Sequence, residues 1–174
     1  TISIYITLFL ILFVNSNNFS QSDDYYAYEG LALFKKGKYY EAIAQYEKAI
    51  AINPRREWYY QIGNSYYRLN SFSKAGETFV NAVNYTGTPH INVLYYDAAC
   101  SYSRGGEIDN AYKYSILALE NGYSNYDYAL KDSDLENLRQ QNPSVREKIM
   151  EYKNRSRENQ PQPQQNRHQG RILG

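Results

Sequence analysis

Residues 25–54 read YYAYEGLALFKKGKYYEAIAQYEKAIAINP. Two helical patterns flank a short Lys-Lys-Gly-Lys turn, and small residues recur where two helices must approach closely, namely Gly30, Ala42 and Ala49. The closing Asn53-Pro54 ends the second pattern, because proline disfavours helical geometry in the residue before it. This stretch therefore predicts a helical hairpin.

The same pattern returns twice downstream, and a fixed period of this length is the signature of stacked helical hairpins. A shift of 33 residues superposes Gly30 on Gly63, and a further shift of 36 superposes Gly63 on Ala99. Each hairpin leaves an apolar face that only the next hairpin covers, so the units are expected to stack into a solenoid.

The repeated columns resemble those of the tetratricopeptide repeat, a unit of about 34 residues with two antiparallel helices. The first unit matches at Tyr26, Gly30, Leu33, Ala42, Tyr46, Ala49 and Pro54. The second matches at Tyr59, Ile62, Gly63, Tyr66, Ala75, Phe79 and Ala82, with Gly87 in place of proline. The third matches at Tyr95, Ala98, Ala99, Tyr102, Ala111 and Ala118, but has Ser115 where an aromatic residue is usual. The resemblance implies an all-α, right-handed superhelix of three hairpins over residues 23–122 (about 23–55, 56–89 and 90–122).

Stop and start signals predict helices at 24–36, 39–52, 56–69, 72–85, 90–104 and 107–121. Beyond Gly122 the repeat fails, and we expect a short helix at 134–140 capped by Asp132 or Ser133, then a last helix at 145–152 capped by Ser144. Residues 123–153 resemble the module that closes bacterial arrays of this family, and a terminal cap is required for solubility. Residues 154–174 are polar and basic, with few apolar side chains, and are expected to form a disordered tail.

Residues 2–14 form an uncharged apolar run that is followed by polar residues 15–18. The run is shorter than the roughly 20 apolar residues of a membrane-spanning helix and suits the apolar core of a secretory signal peptide. We expect residues 1–20 to be a signal peptide, truncated at its start and cleaved after Ser20 or Ser16, and the protein to be exported to the periplasm or secreted. The alternatives are a retained membrane anchor, the only membrane contact expected, and a helix packed on the first repeat.

Neither composition nor motifs support catalysis. The net charge of +1 indicates neither nucleic-acid nor anionic-membrane binding. His90 and His168 are remote from Cys100, and the sequence lacks paired metal ligands and phosphate-binding glycine loops. We interpret Cys100 as a small packed residue rather than a reactive thiol, and Asp132 and Asp134 as caps rather than an acid–base pair. No enzyme activity, cofactor, metal or small-molecule substrate is expected.

In the family that the chain resembles, the first helix of each hairpin lines the concave face, which implies a binding groove there. The groove positions are Ala27, Leu31, Phe34 and Lys35; Tyr60, Asn64, Tyr67 and Arg68; and Tyr96, Cys100, Ser103 and Arg104. Those expected to bind a partner are Phe34, Lys35, Tyr60, Asn64, Tyr67, Arg68, Tyr96 and Arg104. One column is cationic in every unit, and cations beside aromatic rings can hold an extended peptide with acidic groups.

The cationic column of Lys35, Arg68 and Arg104 has a second interpretation. Each cation lies in the last turn of its predicted helix, where the helix dipole favours positive charge by about 0.3–1 kcal/mol. The carboxylate clamp known in the family is not carried over, since Ala27 and Leu31 replace its Lys and Asn. The expected function is a non-enzymatic scaffold that binds a peptide segment of a protein partner in the groove. The alternative is a structural component of a larger cell-envelope assembly that acts through its convex face or tail.

Overall fold

The computed structural model describes residues 22–159, which form a succession of helices. Three hairpins follow one another, and each packs against the next. Their helices are α1 (Asp23–Lys35), α2 (Tyr39–Ile52), α3 (Arg56–Arg68), α4 (Phe72–Ala82), α5 (Ile91–Arg104) and α6 (Ile108–Glu120). The C-terminal segment, residues 123–159, adds α7 (Tyr126–Ala129), a 3-10 helix (Ser133–Leu135), α8 (Glu136–Gln141) and α9 (Ser144–Glu158). The predicted all-α solenoid of helical hairpins is confirmed.

The turn inside each hairpin has the same backbone geometry. Its left-handed residue is Gly37 (φ 76°), Asn70 (φ 56°) or Gly106 (φ 78°), all types that adopt this conformation at low cost. The next N–H donates to the carbonyl five residues earlier: Lys38 to Leu33, Ser71 to Tyr66 and Glu107 to Tyr102, at 2.9–3.0 Å. The backbone thus repeats with the spacing of the sequence repeat, and each first helix ends in a Schellman motif.

Within the first two hairpins, a glycine on one helix lies beneath an aromatic ring on the other. A Cβ added at Gly30 would lie 3.0 Å from the ring of Tyr46, and one added at Gly63 would lie 2.5 Å from the ring of Phe79. Both rings are 1% exposed. This contact sets the close approach of the two helices, because interiors have little free volume.

The third hairpin lacks that ring, since Ser115 occupies the aromatic position. Ser115 instead lines a cavity of about 10 Å³ together with Tyr123, Leu135 and Ile149 of the C-terminal segment. These side chains belong to the same hydrophobic core as α5 and α6. The C-terminal segment therefore supplies apolar side chains beside the position where the first two hairpins have a ring of their own.

Polar contacts also join the C-terminal segment to α5. The Ser103 side-chain oxygen accepts a hydrogen bond from the Leu138 N–H at 3.2 Å, and the Ser103 carbonyl accepts one from the Asn137 amide at 3.0 Å. Ser103 and Leu138 are both completely buried. The predicted groove position at Ser103 is therefore wrong, because the C-terminal segment covers it.

The last helix is longer than the sequence predicted. It continues to Glu158, so residues 154–158 of the expected disordered tail are helical. Ion pairs along the helix surface support this extension, since Arg155 pairs with Glu151 one turn earlier and Lys153 pairs with Asp127 of α7. Propensity and such local pairs outweigh the low apolar content of these five residues.

Other predicted boundaries hold only in part. Capping of α9 by Ser144 is wrong, because its hydroxyl donates to the Asn142 side chain at 2.6 Å. Asp132 does cap the 3-10 helix, by accepting the Asp134 N–H at 3.0 Å. Helix α4 ends at Ala82 instead of residue 85, and α7 was not predicted. The expected signal peptide and residues 160–174 of the expected tail lie outside the described residues.

We expect Gly63→Leu to lower the free energy of unfolding by about 1–3 kcal/mol, because the new side chain would overlap the buried Phe79 ring. Intrinsic helix propensity alone would favour leucine, so a loss must come from packing. Urea unfolding followed by circular dichroism measures the change. The control is a double-mutant cycle with Phe79→Ala, in which the cost of Gly63→Leu should shrink as the space opens. Unfolding indistinguishable from that of the parent would contradict this packing.

Candidate functional site

Helix α5 forms one wall of an open cavity of about 280 Å³. It contributes Val93, Tyr96, Asp97 and Cys100, which recur at intervals of three or four residues and therefore share one face of the helix. Tyr96 and Cys100 are uncharged and buried, and Asp97 adds a carboxylate to this wall. The cavity thus combines aromatic surface with charge.

Helix α3 and the C-terminal segment form the other walls. Asn64 and Tyr67 come from α3, while Tyr123, Asp132 and Asp134 come from the segment that returns across α5. The site is therefore built by the first helices of two successive hairpins and closed on a third side by the C-terminal segment. Three carboxylates line it in all, counting Asp97.

Asp132 is nearly buried, at 8% exposed, and its carboxylate is well satisfied. The Tyr96 hydroxyl donates to it at 2.6 Å, the Cys100 thiol at 3.7 Å, and the Asp134 N–H at 3.0 Å. Burial, together with the nearby carboxylates, raises the pKa of the Cys100 thiol, so the thiol stays protonated at neutral pH. This agrees with the interpretation of Cys100 as a packed residue rather than a reactive one.

Asp97 lies in a different electrostatic setting. The charged groups that face it are the carboxylates of Asp132 and Asp134, and the Tyr60 hydroxyl of α3 hydrogen-bonds toward it. Burial raises the pKa of Asp97 to about 7, the Tyr60 hydroxyl opposes this change, and repulsion from the two carboxylates adds to it. No ion pair within residues 22–159 includes Asp97. At neutral pH the cavity therefore holds a carboxylate poised between its two protonation states.

The Tyr67 hydroxyl is buried, and within residues 22–159 it makes no well-aligned hydrogen bond, although the Asp134 carboxylate lies beside it. Burial and the nearby Asp134 carboxylate raise the pKa of Tyr67 above its ordinary value, so the hydroxyl keeps its proton. An unsatisfied buried hydroxyl costs roughly 1–3 kcal/mol. Such a group next to a cavity is one that a ligand or water can satisfy.

Aromatic rings cover much of the remaining surface. Tyr96 and Tyr123 stack with their ring centroids 4.1 Å apart and their planes 5° from parallel. Tyr128 lies beside them, 6.3 Å from Tyr96, and is 53% exposed. The faces of tyrosine rings carry negative potential and attract cations.

The structure brings together the predicted groove residues of the second and third hairpins. Asn64, Tyr67 and Tyr96 line the cavity, and the Tyr60 hydroxyl lies beside Asp97 in the wall formed by α5. Arg104 contacts the cavity indirectly, because its guanidinium pairs with Asp134 at 3.0 Å. It also lies over the Phe72 ring, 5.1 Å from the centroid.

The predicted residues of the first hairpin, and Arg68 of the second, do not line this cavity. Phe34 packs edge-on against Tyr39 at 5.3 Å, beside the core of that hairpin. Lys35 and Arg68 are exposed in the last turns of α1 and α3, as Arg104 is in the last turn of α5. Their assignment to a peptide site therefore stays a prediction alongside their interpretation as helix-end charges.

Asp97 was not among the predicted site residues, and Asp132 and Asp134 were predicted only as caps. Asp97 follows Tyr96 and precedes Cys100 by one helical turn, so a search for polar residues on the groove face of α5 would have found it. The other two carboxylates reach the cavity because the chain turns back over α5 after Gly122. That contact joins residues about 30 or more positions apart and has no local signal.

Residues 30–70 match the family model of the TPR repeat. The match runs from Gly30 in α1 through α2 and α3 to the turn at Asn70, and the same hairpin geometry continues into the third hairpin. The fold is that of a helical-repeat protein, and the match over residues 30–70 supports a protein of the TPR family. TPR proteins are generally non-enzymatic scaffolds for protein–protein interaction, and the match supports that class of function here. No curated protein matches the chain.

Between residues 22 and 159, no helix combines the length and apolar character needed to cross a membrane. Over the same residues, His, Cys, Asp and Glu side chains form no group of three suited to a metal ion.

We expect Asp97→Asn to change how stability depends on pH. The folded chain retains the Asp97 proton up to about pH 7, whereas the ordinary value for the unfolded chain is 3.8. Between these values the folded state binds more protons, so the contribution of Asp97 to stability falls as pH rises. Asparagine does not titrate. The free energy of unfolding of Asp97→Asn should therefore rise relative to that of the parent by about 1–3 kcal/mol from pH 4 to pH 8.

Urea unfolding of parent and variant at pH 4, 6 and 8 measures this trend. Glu120→Gln, at an exposed position on α6, is the matched control for removing one carboxylate. A difference between parent and Asp97→Asn that stays constant with pH would contradict the burial of this carboxyl group.

Proposed function

We propose that this TPR protein is a non-enzymatic scaffold that binds an extended segment of a protein partner in its groove, at the cavity between α3, α5 and the C-terminal segment. One observation carries the proposal. The first helices of two successive hairpins present Asn64, Tyr67 and Tyr96 to one open cavity of about 280 Å³. Proteins of this family bind partners through such faces, which supports the class of ligand.

The side chains around the cavity suit a peptide. The Asn64 amide offers both a donor and an acceptor to a peptide backbone. The rings of Tyr67 and Tyr96 offer apolar surface with a polar tip, the type of residue that contributes most to binding energy at protein interfaces. Beyond the cavity, exposed Lys35 and Arg68 are suited to acidic groups of the same segment.

Export belongs to the proposal as well. The apolar run of residues 2–14 and the polar break after it support a signal peptide that is cleaved near Gln21, with the mature protein in the periplasm or secreted. Mass spectrometry of the N-terminus of protein purified from its own cells tests this. An intact residue 1 on protein recovered from the cytoplasm would contradict export.

The alternative is a structural component of a larger envelope assembly. Exposed aromatic side chains on the first hairpin favour it, since Tyr28 is 70% exposed and Tyr40 is 68% exposed. A component of this kind would use surfaces outside the groove, including the convex face and the tail.

The test is a titration of the partner recovered by affinity pull-down, with the mature chain as bait. Tyr67→Ala should weaken binding by about tenfold or more, as expected for a central aromatic contact. Arg68→Glu should also weaken binding, and the loss of affinity should be larger at low salt than at high salt, because exposed charges are screened over about 8–10 Å. Lys113→Glu on α6, the second helix of its hairpin, is the matched control and should bind like the parent.

Binding that ignores Tyr67→Ala and Arg68→Glu, but disappears when the chain is truncated after Tyr152, would contradict the groove and favour the assembly component. Circular dichroism of each variant confirms that the fold is intact.

A further inference from the structure

We propose that the cavity beside α5 receives the positively charged end of a lysine or arginine side chain from the bound segment. The inference rests on the proposed function and names the residue type that the groove recognises. The partner charge at this part of the groove is then opposite to the one that the cation column predicted, because carboxylates line the cavity.

The charge balance of the cavity favours a cation. Of the three carboxylates at the cavity, Asp134 has a cationic partner in Arg104, at 3.0 Å. Asp132 is satisfied by neutral donors, including the Tyr96 hydroxyl at 2.6 Å. Asp97 faces the two other carboxylates and the Tyr60 hydroxyl. Buried charge is costly without a partner of opposite sign, so a cation that enters the cavity would remove a repulsion that the chain itself leaves.

A tyrosine hydroxyl and aromatic rings also favour a cation in the cavity. Tyr67 lines the cavity, and its buried hydroxyl lies beside the Asp134 carboxylate without a well-aligned hydrogen bond. Its lone pairs can accept a hydrogen bond, and ammonium and guanidinium groups are pure donors. The stacked rings of Tyr96 and Tyr123 and the exposed Tyr128 add ring surface beside the same space. Aromatic faces stabilise a nearby cation and disfavour an anion.

The size of the cavity suits a single side chain. A cavity of about 280 Å³ is at the lower limit of small-molecule sites, which begin near 300 Å³. It is open on one side, so a long side chain can enter while its backbone remains in the groove beside Asn64. The apolar stem of lysine or arginine would then lie against the tyrosine rings, with the charged end near Asp97.

Binding of a cation should be linked to the protonation of Asp97. The groups that face this carboxyl are the Tyr60 hydroxyl from α3 and the Asp132 and Asp134 carboxylates from the C-terminal segment. A cation favours the ionised form, so affinity should rise as pH increases through about 7 and then level off. Asp97→Asn should abolish that dependence.

The experiment is an NMR titration of the full chain with four capped amino acids. The probes are the Nα-acetyl methylamides of lysine, arginine, norleucine and glutamate, of which norleucine matches the lysine stem without its charge. We expect the lysine and arginine probes to shift the resonances of Asn64, Tyr67 and Asp97, with affinities about tenfold or more above that of norleucine. The glutamate probe should not compete.

Two variants and one control locate the site. Asp97→Asn should weaken the lysine probe about tenfold, and Tyr67→Phe, which removes only the hydroxyl, should weaken it by a smaller factor. Glu120→Gln should bind like the parent. Norleucine or glutamate binding as tightly as lysine, shifts that survive unchanged in Asp97→Asn, or no shift up to the solubility limit of the probes would each overturn the proposal.

Two further arms separate this inference from the function on which it rests. Butylammonium that binds more tightly than the lysine probe would point to a free amine and overturn the side-chain assignment. The partner from the pull-down should lose affinity when its lysine and arginine residues in the bound segment are replaced by norleucine and citrulline. A partner that needs Tyr67 but tolerates those replacements overturns this inference alone and leaves the groove as the binding site.

Discussion

In a helical solenoid each hairpin is covered by the next, so the last hairpin needs a surface from elsewhere. Here the chain returns across its own third hairpin. Leu135 and Leu138 bury themselves in the core that α5 and α6 share, and the Tyr96 hydroxyl bonds to Asp132 at 2.6 Å. The cavity beside α5 exists because of this return, since one of its walls consists of residues from the returning segment.

The same return creates an electrostatic conflict. Covering apolar surface stabilises the fold, but it also places Asp132 and Asp134 opposite Asp97. Burial raises the pKa of Asp97 to about 7, and repulsion from these two carboxylates adds to that change. Asp132 is satisfied by neutral donors and Asp134 pairs with Arg104, whereas Asp97 has no cationic partner within residues 22–159 and the Tyr67 hydroxyl makes no well-aligned hydrogen bond there. Uncompensated polar groups and perturbed carboxylates in a cavity are characteristic of functional sites rather than of simple packing.

How well each feature was predicted depends on how far apart along the chain the residues that form it lie. The glycine columns at Gly30 and Gly63 have a local cause, and their contacts with Tyr46 and Phe79 are found in the structure. The groove face of α3 and α5 follows from helical periodicity, which grouped Asn64, Tyr67 and Tyr96, and these three side chains line the same cavity. The sign of the charge at the cavity did not follow, because it depends on a tertiary return whose path no short motif encodes. The C-terminal part of α9 was also not predicted as helix, because surface ion pairs rather than apolar burial support it.

The central claim is that the C-terminal segment completes the third hairpin and thereby forms the site. Amide hydrogen exchange of Leu138→Ala tests it most directly, because Leu138 is completely buried in this contact and the truncation should cost about 2–5 kcal/mol. The account predicts faster exchange in α5, α6 and the C-terminal segment together, with α1 and α2 protected as in the parent. Faster exchange confined to the C-terminal segment, with α5 unchanged, would show that the third hairpin does not depend on it and would contradict the account.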